Sequence, residues 1–298
     1  MTPDLLIHKL FIFLLIVALF SCDEPEVPTE DNSAFITTVF RYVYAPGQHA
    51  ANVLPADSAN FTGNPSETNS TVFLGGFGGY IEAGFDHNVI NHDGPDFEVF
   101  AMKSSAPEPA VVYVMQDTNG DGKPNEIWYQ LKGSQYENSK HAYWVRYYKA
   151  KSGDSNISWL DSEGVRGELK SGYGATNTSG WWWPATITDS ITFYGTRLPD
   201  SYENTGAGEA QFWAVPAGKF EWGYAENNSG TDYDKENGSN KLDISNAVDP
   251  QGNSVSLSHI RFIKIQSAVF QQAGWLNEVS PEVTGAKEIK STSPQPSP

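Results

Sequence analysis

The chain has 298 residues, enough for one large all-β domain or two small ones, and carries a formal net charge of −17. Such a surface repels nucleic acid and excludes DNA or RNA as a partner, leaving a cation, a cationic partner or a neutral ligand. An aromatic share of 13%, with 27 Gly and 18 Pro, favours many short strands joined by tight turns over long helices.

The first predicted element is an export signal. Lys9 precedes an apolar run from Leu10 to Phe20. The run is shorter than the roughly 20 residues that a membrane span needs and suits the core of a signal peptide. It ends in Leu19-Phe20-Ser21-Cys22, which resembles a bacterial lipobox. Residues 1–21 therefore read as a lipoprotein signal peptide, with Cys22 as the lipidated N-terminus of the mature chain. Cys22 is the single cysteine. The mature protein thus forms no disulfide and uses no thiol in catalysis, and its stability falls to core packing and a metal. Residues 22–34, rich in Asp, Glu and Pro, cannot bury apolar surface and read as a flexible acidic tether.

Residues 35–289 read as one β-sandwich of jelly-roll type with long loops, followed by a disordered tail at 290–298. Strands are expected at 34–44, 80–85, 97–102, 110–115, 127–131, 142–148, 187–194, 211–215 and 260–269. These stretches are β-branched and aromatic, and are bounded by Gly, Pro, Asn and Asp. The glycines of Gly75-Gly76-Phe77-Gly78-Gly79 permit positive φ and close strand approach. No stretch sustains a helical period.

The most specific chemistry lies in Asp117-Thr118-Asn119-Gly120-Asp121-Gly122-Lys123-Pro124-Asn125-Glu126. It matches D-x-[DN]-x-D-G-x-x-[DN], in which oxygens at alternate positions converge on a hard cation because the sixth residue, a glycine, lets the chain turn sharply. Asp117, Asn119 and Asp121 are expected to ligate through side chains, Lys123 through its carbonyl, and Asn125 directly or through water. The twelfth position is Trp128 and the flanks are strands. The expectation is therefore a strand-loop-strand hairpin holding a structural Ca2+, and the alternative is a hairpin turn without metal.

Other constellations are weaker. His87 and His92 read as satisfied loop histidines, and Asp93-Gly94-Pro95-Asp96 as a turn entering a strand. In Trp181-Trp182-Trp183, alternate residues of a strand face opposite ways, so Trp181 and Trp183 are candidates for a ligand-stacking platform and Trp182 for the core. Glu278 and Glu282 are the carboxylates a glycan hydrolase reading would use. No nucleophile elbow, H-E-x-x-H, P-loop or dinucleotide fingerprint is present, so a non-enzyme is the favoured reading.

Residues 73–81, Gly84-Phe85-Asp86, 91–100, 114–122 and 128–134 together resemble a family of Bacteroidota cell-surface lipoproteins. Gly195-Thr196-Arg197-Leu198-Pro199, Trp222-Gly223-Tyr224, Ala247-Val248-Asp249 and 274–280 continue the likeness, in order, across most of residues 36–289. The acidic residues after Cys22 likewise resemble the surface-export signal of such lipoproteins. The resemblance implies a protein lipid-anchored in the outer membrane and facing the medium. Some members are encoded beside vitamin B12 uptake systems, which implies capture of a cobalamin or other corrinoid for an outer-membrane transporter. The alternatives are a glycan-binding or glycan-degrading surface lipoprotein and a structural adhesin.

Overall fold

The computed structural model describes residues 34–47, 55–65, 71–103, 107–150, 156–169, 183, 187–206, 212–273 and 278–290. The signal peptide, Cys22, the tether up to residue 33, Trp181, Trp182 and residues 291–298 lie outside them. Among the described residues no helix is long and apolar enough to cross a membrane.

The protein is all-β, and its sheets are antiparallel. A six-stranded sheet contains β1 (Thr38–Val43), β3 (Tyr80–Ile90), β5 (Ala110–Met115), β6 (Tyr129–Leu131), β15 (Ala247–Val248) and β16 (His259–Ser267), in the order β1-β3-β16-β5-β6-β15. A five-stranded sheet contains β2 (Val72–Phe73), β4 (Phe97–Ala101), β13 (Tyr233–Asp234), β14 (Ser239–Leu242) and β17 (Glu282–Glu288), in the order β13-β14-β4-β17-β2. These two form the expected sandwich. Ile81, Ala83 and Phe85 of β3, Val112 and Val114 of β5, and Ile263 and Ile265 of β16 share one buried cluster with Phe97, Val99, Val283 and Ala286. Spacing by two residues puts the sets of β3, β4, β5 and β16 on one face of each strand, and a register shift between Val283 and Gly285 brings Val283 and Ala286 of β17 to the same core.

A four-stranded sheet adds a layer that a single sandwich lacks. It contains β7 (Lys140–Tyr148), β8 (Ile157–Asp161), β9 (Arg166–Leu169) and β10 (Ser190–Arg197), in the order β10-β7-β8-β9. Tyr143, Val145, Tyr147, Ile157 and Phe193 of this sheet form a second core with Phe77. The opposite face of β5 is buried too, because Val111 packs in a third cluster with Leu198, Tyr202, Phe220 and Tyr224. A short ribbon of β11 (Glu203–Asn204) and β12 (Trp213–Ala214) completes the set.

Lys264, on β16 opposite Glu82, has its ammonium 4.4 Å from the Tyr113 ring centre and 5.1 Å from that of Trp128. Burial pushes its pKa down to about 8; Glu82 opposes the shift and Arg41 adds to it. Between about pH 8 and pH 10 the unfolded chain therefore binds more protons at this site than the folded one, so its contribution to stability rises with pH. Urea unfolding across that range is expected to show wild type gaining on Lys264→Met. Parallel profiles would show that the rings and Glu82 hold the charge without a penalty.

Candidate functional site

Two places gather functional groups. The first is the loop between β5 and β6, flanked by strands as the motif requires. Gly120 and Gly122 take φ of 72° and 71°, the left-handed region that glycine enters without steric cost. The loop closes on itself through side chains. Asp117 Oδ2 accepts from Gly122 N at 3.0 Å, Asn119 Oδ1 from Asp121 N at 2.8 Å, and Asp121 Oδ1 from Lys123 N at 2.9 Å. Asn125 Nδ2 donates to Asp121 Oδ2 at 2.8 Å, and the Lys123 carbonyl accepts from Asn125 N at 2.9 Å.

One ligand candidate escaped the motif. Glu126 Oε1 accepts from Thr118 N at 2.9 Å and Asn119 N at 3.1 Å, folding its carboxylate back over the start of the loop. Its Oε2 is buried without a hydrogen-bond partner, and so is Asp117 Oδ1. A buried carboxylate oxygen with no donor is costly. Two such oxygens in a loop whose other carboxylate and amide oxygens are engaged fit a hard cation, for which oxygen is the preferred ligand. Arg261 supplies a compensating charge, with Nε 3.8 Å from Asp117 Oδ2.

The second place is a groove of about 240 Å³ where the β8–β9 hairpin meets the segment after β16, lined by Trp159, Glu168, Arg197, Phe270 and others. The hairpin is fixed by Asp161, whose Oδ1 accepts from Glu163 N at 3.0 Å and Val165 N at 2.8 Å, with Gly164 at φ 80°. Trp159 pairs across the hairpin with Gly167, where a Cβ would stand 2.4 Å from the indole Cζ2. Glycine there lets the ring lie across β9. Trp159 and Phe270 meet edge to face, with centroids 4.7 Å apart. Leu198 N donates to Ala268 O at 2.9 Å, which brings the end of β10 alongside this segment. Arg197 then stacks over Tyr143 at 5.2 Å and Phe270 at 5.5 Å, donates to Tyr143 Oη at 3.0 Å and faces Asp200 at 3.6 Å. Tyr143 in turn donates to Asp161 Oδ2 at 2.5 Å, and burial followed by this carboxylate pushes its phenol above the usual range. The wall is a rigid aromatic and guanidinium surface.

The remaining expectations fall elsewhere. Trp183 is 3% exposed and donates its indole N–H to Ile187 O at 2.5 Å, within the second core. It is a core residue and offers no stacking platform, which corrects the expectation from alternation. His87 engages Asp86 at 2.7 Å and Glu288 at 3.2 Å, as a satisfied histidine should, but it does so from within β3 and not from the expected loop. Asp96 is buried and accepts from His92 N and Ile244 N, which ties the turn before β4 to the segment after β14. Glu278 and Glu282 are both buried. No protein-family model matches the chain and no curated protein matches it, so its function is read from the residues of these sites.

Proposed function

We propose that the chain is a non-enzymatic binding protein, displayed at the cell surface by a lipid on Cys22, that captures a ring-shaped, hydrogen-bonding ligand in the Trp159–Phe270 groove for outer-membrane uptake. A structural Ca2+ in the Asp117–Glu126 loop stiffens the β5–β6 end of the sandwich. The observation that carries the reading is the groove, an apolar ring surface edged by a fixed guanidinium and the exposed Glu168. Ring faces stack on such a surface while the polar rim meets hydroxyls and amides. Its volume suits a single sugar ring and takes only an edge of a corrinoid, which favours a glycan. Two of its carboxylates are already engaged, Asp161 by Tyr143 and the hairpin amides and Glu163 by Lys140 at 2.7 Å. That favours holding a ligand over acid–base chemistry.

Calorimetry against a panel of neutral glycans and cyanocobalamin tests this. A glycan is expected to give saturable heat, and Trp159→Ala to weaken it by about tenfold or more, the loss of one stacking face. Cyanocobalamin binding that ignores Trp159→Ala would move the ligand to another surface. Release of reducing sugar would make the protein an enzyme, and attachment to cells or matrix alone would favour an adhesin.

A further inference from the structure

A second set of carboxylates gathers at the other end of β5. Glu108 precedes that strand, Glu226 follows Ala225, and Glu282 begins β17; one carboxylate oxygen from each lies within 4.8 Å of the other two. The backbone brings them together. Ala110 N donates to Ala225 O at 3.0 Å and Ala225 N to Ala110 O at 3.1 Å, while Glu108 N donates to Glu226 O at 3.1 Å. Glu282 N donates to Glu226 Oε2. Glu108, Glu226 and Glu282 are 8%, 4% and 9% exposed, and among the described residues no Lys or Arg pairs with them. Glu226 Oε1, in the most buried of the three, has no hydrogen-bond partner.

We propose that Glu108, Glu226 and Glu282 form a buried binding site for a hard divalent cation, with calcium the best fit, independent of the Asp117–Glu126 loop and of the groove. Calcium binds oxygens at about 2.3–2.6 Å, so two oxygens on one ion stand at most about 5 Å apart, and the cluster meets that limit. Three carboxylates, partly bidentate, supply most of the six to eight oxygens that calcium takes, whereas magnesium keeps several waters. Without a cation the three cannot share this space as anions. The bound ion would tie β5 of the six-stranded sheet to β17 of the five-stranded sheet, closing one end of the sandwich.

The test counts ions. The full-length chain carrying Asp117→Asn and Asp121→Asn, which disable the loop, is stripped with chelator, equilibrated with calcium alone, desalted and analysed for metal. It is expected to retain about one calcium per chain. Adding Glu226→Gln, which preserves shape and removes the charge, is expected to take that count to none. A loop-disabled chain that folds but retains no calcium overturns the proposal, as does a count that Glu226→Gln leaves unchanged. Should Glu226→Gln fail to fold, terbium emission sensitised by Tyr202 decides. Tyr202 is buried with its phenol on Pro107 O at 3.2 Å and feels the charge of all three glutamates. In the loop-disabled chain, Tyr202→Phe is expected to lower that emission, and unchanged emission overturns the site. Loss of calcium from the loop alone, or of glycan binding, leaves these counts as they are.

Discussion

Gly79→Ala is expected to destabilise the protein by about 3 kcal/mol or more, beyond the usual cost of overpacking a core position. A Cβ at this position would stand 1.8 Å from Leu74 O and 2.6 Å from Ala45 N, and those two atoms are hydrogen-bonded to each other at 2.9 Å. Both are backbone, so neither can swing aside as a side chain would. The segment is held from its other side as well, because Ser267 N donates to Gly79 O at 2.9 Å and Gly78 N to Ser267 O at 2.8 Å. A shift to make room would break contacts to both β1's exit and β16. Gly63→Ala supplies the comparison. Gly63 sits at φ 77°, and a Cβ there would meet nothing within 4 Å, so its cost is the left-handed backbone alone, about 1–2 kcal/mol. Urea unfolding of both variants separates steric from conformational loss. Equal losses would mean that the Leu74–Gly79 turn yields, and that close approach is not why glycine stands there.

The glycine run is legible because its signal is local, and the same holds for the strands with one apolar face. β3, β5, β7 and β16 announce themselves by β-branched and aromatic residues in the sequence. β14 and β17 do not. Ser239 and Asn240 of β14 are buried through hydrogen bonds, Ser239 to Glu98 at 2.6 Å and Asn240 from Asn227 N at 2.9 Å, so their polarity conceals their burial. Gly285 of β17 lies against Pro65 and gives no apolar signal either. β8 and β9 escape a sequence reading because a glycine faces Trp159 and the hairpin turn is built by the carboxylate of Asp161.

Sites divide along the same line. The loop of Asp117–Glu126 is contiguous, so its candidate ligands follow from spacing, except for Glu126, whose carboxylate comes in by folding back rather than by its place in the alternation. The groove joins Trp159, Arg197 and Phe270, and the buried carboxylates join residues 108, 226 and 282; only the strand pairing brings either set together. Trp183 shows the converse. Three consecutive tryptophans look like a binding surface, yet an indole whose N–H meets Ile187 O inside a core is packing.

The calcium proposed for the loop has a consequence that reverses sign with conditions. Glu126→Gln keeps an oxygen to accept from Thr118 N and Asn119 N, but replaces a buried, unpartnered carboxylate oxygen with a neutral amide. In chelator, removing that charge relieves a desolvation cost, so the variant is expected to melt at or above wild type. In calcium the order reverses, because the variant has lost a charged ligand while wild type gains the binding free energy. At a hundred times the dissociation constant that gain is about 2.7 kcal/mol, or about 5–10 °C in Tm for a chain of this size. Thermal melts of both proteins in chelator and in excess calcium check the crossing. Because any ion held by Glu108, Glu226 and Glu282 shifts both proteins alike, the difference between them reports the loop alone. Wild type below the variant in both conditions would leave the Asp117 and Glu126 oxygens without a cation to explain them.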